Sequence, residues 1–499
     1  MRRYVGSHPL IGGVIVVLFA AALTLWLAPV KPVLLLTDIL VYILILSLLG
    51  FFVYVRSVEH LVAPWRQVLR RPLASAALVV LSFYVTIGVL DSVHFRKMLN
   101  PQAGDSAVHY SVEVLSLLDI ILDPIRTRTE KSYSSPLATH LYSKEIIEHT
   151  QGLTLRDYPR LKFGGAHLQD PQQEWSTDII FRASHALIAG LLASLILILL
   201  WSAYLCRRKQ TALSYFLRDV CYGRTDLPWR MVFATTSCFL LLIFLVMELG
   251  VAYHLLGTDK VGNDVLYLSI KSIRTGLVIG TLTTLIMLPF AILLGIMAGH
   301  FRGWVDDVIQ YIYTTLNSIP GVLLIAAAIL SVDLYIVNNP DLFETVVERA
   351  DLRLLFLCMI LGITSWTGLC RLLRGETLKL REMGYIQAAT AFGASNVKII
   401  SRHILPNVMH IVLIAIVLDF SSLVLAEAVL SYVGVGVDPS MISWGNMINS
   451  ARLEMAREPV VWWSLLTAFW FMFILVLAAN LFSDAVRDAF DPRVARGHI

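Results

Sequence analysis

Uninterrupted apolar blocks of about 18 to 27 residues recur along this chain, and they constrain its fold more than any other feature. About 20 such residues cross a hydrocarbon core as a helix, whereas a soluble core scatters its apolar residues at amphipathic spacing. The blocks fall at about 9–29, 33–55, 71–92, 179–205, 231–250, 276–300, 306–332, 352–372, 408–433 and 461–483. Only 15% of the 499 residues are charged, against roughly 25% in soluble domains. The expected fold class is therefore an all-α polytopic membrane protein with about ten transmembrane helices.

A net charge of +4 is small for this length. The basic residues gather in short stretches between blocks, so no nucleic-acid-sized patch forms and nucleic acid is not an expected partner, whereas membrane lipid is. Cys206, Cys221, Cys238, Cys358 and Cys370 lie in or beside apolar blocks without CxxC spacing, which suggests neither a disulfide framework nor a metal site. Short basic loops set the orientation. Arg56, Arg66, Arg70 and Arg71, then Arg207, Arg208, Lys209, Arg218 and Arg224, then Arg371 through Arg402 belong in the cytoplasm, with both termini. The first block follows Arg2 and Arg3 as a signal peptide's would. Its run is too long and no small-residue cleavage site follows Pro29, so an anchor is expected.

This orientation places residues 93–178 outside. Helices are expected there near Val112–Leu122 and Tyr142–His149, separated by the turn-rich Ser132–Pro136. His94, His109, His140, His149 and His167 lack HxxxH or HxH spacing and read as surface histidines rather than metal ligands. No GxxxxGK[ST] phosphate cradle and no GxSxG nucleophile pattern occurs, so no catalytic or cofactor-binding residue is assigned. If ATP drives this protein, another chain hydrolyses it.

The most informative stretch runs from Arg371 to Asn407, between two blocks on the basic side. It reads as two short helices joined at Gly393, where glycine permits a tight turn or a close backbone approach. Ala388 and Ala389 offer a low-profile face, and Phe392, Val397, Ile399 and Ile400 supply apolar area that a fully solvated loop would not need. Docking into a partner's groove and lying on lipid as an interfacial helix both fit that composition.

These residues resemble the EAA loop of ABC importer membrane subunits, whose pattern is E-A-A, three residues, G, nine residues, then I-x-L-P. Gln387, Ala388, Ala389, Gly393, Leu405 and Pro406 fall in register, with Gln387 in place of the acid and His403 in place of the isoleucine. Leu256–Asp264 resembles the G-T-D-x-x-G-R-D segment of dipeptide and oligopeptide permease C-type subunits. Glu427–Gly436, Ser443–Asn446 and Asn480–Arg493 resemble three further segments of that family, in its order. The resemblance covers about residues 231–499, a six-helix permease unit with its coupling loop at about 380–406. Before it lie an extension of three spans (1–92), the outer segment (93–178) and a fourth span with a basic loop (179–230). Asn263 stands in place of an arginine, Met383 in place of an acid, and Tyr311 and Thr314 where an arginine and an aspartate usually precede the proline represented by Pro320. Removing a charge from spans or their mouths alters which ion pairs are available, so the family's details of gating and substrate preference do not carry over to this chain.

The resemblance implies the transmembrane subunit of an ATP-driven importer for peptides or related small solutes, multi-pass in a bacterial inner membrane. It implies a second homologous permease, two ATPase subunits that bind ATP and Mg, and an extracytoplasmic substrate-binding protein. Gln387, Ala388, Ala389, Gly393, Ala394, Leu405 and Pro406 would form the ATPase-coupling loop. From the residues themselves, Asp419 lies mid-block and is a candidate for the translocation path, although an interhelical hydrogen bond is the commoner use of such an acid. Glu427 lies two turns further on, facing a similar direction, and reads as structural. Pro289 and Pro320 are expected to kink their helices. The alternatives are a secondary transporter, disfavoured because no inverted repeat is evident, and a membrane enzyme or assembly factor acting through the outer segment.

Overall fold

The computed structural model describes residues 30–57, 59–99, 109–148, 154–340, 343 and 345–490. The first expected span, 9–29, and His149 lie outside them. Among the described residues, nine helices are long and apolar enough to cross a membrane, and they overlap the other nine expected spans.

The chain enters through strand β1 (Val30–Val33), then α1 (Leu36–Ser57), α2 (Glu59–Arg70) and α3 (Pro72–Asp91). Strand β2 (His94–Lys97) pairs antiparallel with β1 and with β3 (Leu115–Ser116). Two short helices follow, α4 (Leu117–Ile121) and α5 (Asp123–Arg126). The Val112–Leu122 helix therefore shortens to α4, because Ser116 and Asp119 form a reciprocal capping box that fixes its start. The Tyr142–His149 helix is overturned. Glu145–Glu148 is strand β4, paired antiparallel with β5 (Thr154–Asp157), and its β-branched Ile146 suits a pleated ladder.

Three helices follow: α6 (Pro171–Lys209), α7 (Leu213–Cys221) and α8 (Trp229–Gly250). Helix α6 has 39 residues, about 58 Å at the usual rise. It starts before its apolar block because Asp170 caps the Gln172 N–H and Pro171 occupies the first turn. Helix α9 (Val265–Phe301) likewise starts early, at the Asp264 cap, and runs 37 residues with Pro289 inside it.

The expected 306–332 span is corrected. Helix α10 (Trp304–Ser318) ends before Pro320, and α11 (Gly321–Asn338) crosses alone. Ile319 is extended (φ −87°, ψ 129°) because the proline ring disfavours helical geometry in the residue before it. Then come α12 (Val346–Ser365), α13 (Thr367–Arg381), α14 (Gly384–Ala391), α15 (Asn396–Ile399), a π-turn (Ile400–Ile404), α16 (Leu405–Val433), α17 (Trp444–Glu454) and α18 (Trp463–Phe490).

Helix α9 is the hub, touching α3, α12, α13 and α16. In lipid, helices associate by close van der Waals packing rather than by expelling water, so small residues mark the contacts. A Cβ at Gly295 would stand 2.8 Å from the Cys370 carbonyl oxygen, and one at Gly299 2.6 Å from Thr377 Cβ. The N-terminal helices are seated on this unit: Trp65 of α2 stacks with Phe482 at 6.5 Å, and Arg71 pairs with Asp488 at 2.5 Å.

The 93–178 segment is fastened to the same unit. Asp119 accepts from Lys271 at 2.5 Å and from the Tyr267 hydroxyl at 2.9 Å. Thr258 Oγ1 accepts from the Ser134 N–H at 2.6 Å, and Tyr142 meets the buried Trp463 edge-on at 4.8 Å.

Candidate functional site

The 380–406 loop is anchored by one face and bare on the other. Ile386, Ile399 and Ile404 are buried in a cluster with Ala298, Cys370 and Leu373. Phe392 is 91% exposed and Val397 76%. The apolar residues noted in the sequence therefore divide, with Ile399 inside, Ile400 half-buried, and Phe392 and Val397 outside.

Helix α14 ends in a Schellman turn. Gly393 has φ +76°, its N–H donates to the Thr390 carbonyl at 3.0 Å, and the Ala394 N–H donates to that of Ala389 at 3.1 Å. This pattern needs a left-handed residue, which glycine supplies without a Cβ penalty. No atom lies within 4 Å of where a Gly393 Cβ would stand. Gln387, Ala388 and Pro406 are exposed, and Ala389, Ala394 and Leu405 are half-buried. Pro406 lies in the first turn of α16, directly after the π-turn. Its missing N–H and bulky ring explain why the regular ladder is interrupted there.

Polar contacts fix the loop and the helix before it to their neighbours. Arg374 of α13 holds Asp306 in the first turn of α10 through two hydrogen bonds of 2.6 and 2.7 Å, a fork geometry that positions as well as binds. Arg381 donates to the His300 carbonyl at 2.7 Å, where a cation suits a helix C-terminus. His300 Nε2 lies 3.2 Å from Asn396 Oδ1.

The two acids of α16 differ. Glu427 is 2% exposed and accepts from the Ser431 hydroxyl at 2.8 Å. Its structural reading is consistent with this bond. Asp419 is half-buried, and its carboxylate has no hydrogen-bond partner among the described residues, so the interhelical bond is not seen.

The sequence reading missed a buried polar network on the opposite face. Arg274 of α9 donates to Asp38 at 2.6 Å and to the Thr37 hydroxyl at 3.0 Å, while Asp38 also meets His94 Nδ1 at 2.8 Å. The Thr37 N–H donates to Asp351 at 3.1 Å. Lone charges inside or at the rim of apolar blocks were the available signal. His94 is thus buried rather than a surface histidine. His167 is exposed and pairs with Asp178 at 2.9 Å, and no metal-holding group occurs among the described residues.

A second buried group lies between α8 and α9. His254 Nδ1 is 2.8 Å from Asp264, and its Nε2 is 3.4 Å from Glu130, an ion-pair separation rather than a hydrogen bond. Glu130 accepts from the backbone N–H groups of Lys162, Phe163 and Gly164 at 2.9, 2.8 and 3.2 Å. Burial disfavours both charges. Asp264 and Glu130 nevertheless push His254 up to about 9. His254 and the three N–H groups hold Glu130 down at about 2.

Together, the long glycine-lined hub helix, its ring of spans and the half-exposed loop define a class: a polytopic helical subunit of a membrane transporter. Residues 291–496 match the family described as binding-protein-dependent transport system inner membrane component. The chain is 32% identical over 241 residues to the glutathione transport system permease protein GsiD of Pectobacterium atrosepticum, covering 48% of this chain and 73% of that one. It is 28% identical over 245 residues to the dipeptide transport system permease protein DppC of Bacillus subtilis, covering 49% and 70%. It is 30% identical over 239 residues to the oligopeptide transport system permease protein OppC of Mycobacterium bovis, covering 48% and 76%. The chain belongs to this family and is a transmembrane subunit of an ABC importer.

Proposed function

We propose that the chain forms half of a translocation path for peptides or related small solutes in a bacterial inner membrane. It pairs with a second homologous permease, docks two ATPase subunits through residues 380–406 on its cytoplasmic face, and receives cargo from an extracytoplasmic binding protein. ATP and Mg bind to those partners. The observation that carries this reading is the loop's division into a buried anchor and a bare apolar face. Phe392 and Val397 would cost free energy facing water and gain it in a partner's groove. The three relatives, permease proteins of glutathione, dipeptide and oligopeptide transport systems, support the cargo class.

The mechanism is a two-state exchange. ATP binding closes the ATPases, and the loop carries that displacement through Ile386, Ile399 and Ile404 into the hub helix and α16. The helices then trade inward-facing for outward-facing packing. In this reading the Asp419 carboxylate, which has no hydrogen-bond partner among the described residues, meets a peptide's amine on the path. Residues 1–92, 93–178 and 179–230 form additions to the 231–499 permease unit, with 93–178 outside and both termini inside.

Gly393→Leu tests the docking role. It strains the left-handed turn locally but meets no neighbour in this chain, so insertion should stay intact while co-purification of the ATPases or their stimulated hydrolysis is abolished. Normal values of both would remove the loop from the coupling path.

A further inference from the structure

A cavity of about 430 Å³ opens between α6, α7 and α8, lined by Ile198, Leu217, Val220, Cys221, Arg230 and Phe233. Its volume is that of a small-molecule site, roughly 300–1,000 Å³, and its lining is apolar apart from Arg230 at its rim and Cys221. Helix α7 forms one wall. It is a nine-residue amphipathic helix whose Phe216 and Val220 point inward and whose Tyr215 and Arg218 are exposed.

The surroundings have the character of a membrane–water interface. Arg218 lies over the Tyr215 ring at 5.2 Å and Arg224 over Tyr222 at 5.5 Å, while Trp229 leans on Trp201 at 6.4 Å. Aromatic rings of this kind collect at headgroup depth, beside basic residues. Residues 206–230 hold six basic residues against two acids. Arg207, Arg208, Arg218, Arg224 and Arg230 are exposed and make no ion pair among the described residues. The indole N–H of Trp201, in the apolar cluster that includes Phe216, Val220 and Phe233, has no partner there either. An apolar cleft lined at one side by the unpaired Arg230 guanidinium, in a segment rich in exposed arginines, matches a ligand that joins a hydrocarbon chain to a phosphate.

We infer that this cleft is a binding site for one anionic phospholipid, an acyl chain lying along Ile198, Leu217 and Phe233 and the phosphate meeting Arg230. The inference rests on the orientation proposed above, which puts 206–230 in the cytoplasmic leaflet. It does not depend on ATPase docking, which the Gly393 assay reads separately. An occupied site fills the gap between α7 and the α6–α8 pair and holds the added fourth span against the permease unit.

Cys221 lines the cleft and reports on its filling. The full chain carrying Cys238→Ser is placed in nanodiscs of phosphatidylcholine, with or without phosphatidylglycerol of the same acyl chains. Maleimide labelling of Cys221 and the lipids retained on gentle extraction are then measured. Phosphatidylglycerol should slow labelling and be retained over phosphatidylcholine. Arg230→Ala should cut that preference about fivefold, the factor for roughly 1 kcal/mol per basic residue at an anionic surface, and Arg230→Lys should keep most of it. Leu217→Trp, which fills the cleft from its apolar side, should lower retention with Arg230 intact and so covers the case in which Arg230→Ala folds poorly. Equal labelling and retention in both lipids would overturn the site. So would a preference indifferent to both Arg230 and Leu217, or protection of Cys221 only when a protein partner is added.

Discussion

Among the described residues outside the spans, His254 and Glu130 form the one buried ion pair whose two titrations are both strongly displaced, and they join the 93–178 segment to the turn before the hub helix. The sign follows from the two displacements. His254 is raised from 6.5 to about 9, so its stabilisation is complete below pH 6.5 and fades as pH rises through 9. Glu130 is lowered from 4.5 to about 2, so its contribution is complete above pH 4.5 and fades as pH falls through 2. The pair is strongest between about pH 4.5 and 6.5. His254→Gln should lower stability in that window by about 3 kcal/mol, the cost of breaking a buried pair, and the gap should narrow toward pH 9. Thermal unfolding of both proteins in detergent across this range checks it, and a gap independent of pH would show that the pair carries no net charge interaction. Gly393 was legible from its spacing because the Schellman turn is local, closed by Ala389, Thr390 and Ala394. Arg274 and Asp38 were not, because their pairing joins residues from helices far apart in sequence, and a sequence pattern gives no register between helices.

Nine spans were legible as elements because hydropathy reports membrane crossing directly. Their ends were less so. Asp170 and Asp264 extend α6 and α9 beyond the apolar blocks, since capping and helix propensity, not hydrophobicity, decide where a helix stops. The break at Pro320 was expected as a kink, yet the extended Ile319 ends α10 outright. In the outer segment, a helical reading of Tyr142–His149 yielded to a strand because Thr154–Asp157 supplies a partner that the local pattern does not reveal. That segment contributes Asp119 to Lys271, Glu130 to His254 and Tyr142 to Trp463, so it is a fastened element rather than a spacer. Replacing Ser106–Gln173 by flexible linkers of several lengths should therefore destabilise the ends of the spans that this segment contacts and, if it lies outside as proposed, weaken stimulation of hydrolysis by loaded binding protein. Lys271 and His254 would lose Asp119 and Glu130 and keep only Asp91, at 3.6 Å, and Asp264, at 2.8 Å. Undiminished stability and stimulation with every linker would rule out both roles.

The whole molecule is a permease unit with additions gripping it at both ends. Trp65 and Arg71 clasp the last helix near its end, at Phe482 and Asp488, and Tyr142 of the 93–178 segment packs on Trp463 at its start. Arg274, reaching from the hub helix to Asp38 of the added α1, ties the extension to an element that must move if access alternates, so the additions stand to influence the balance between states as well as stability. The motif order of the C-terminal half announced the family from the sequence, whereas how the first 230 residues sit on it depends on tertiary contacts that no motif encodes. The bare face of the loop offers the sharpest probe of coupling. Val397→Cys, at an exposed position, can be cross-linked by a short bifunctional reagent in membranes containing the assembled transporter. Docking through this loop requires a cross-link to an ATPase subunit whose yield changes when ATP and Mg are added. A chain that hydrolyses ATP alone, or a Val397 cross-link that never captures an ATPase in a transporter shown to contain one, would contradict it.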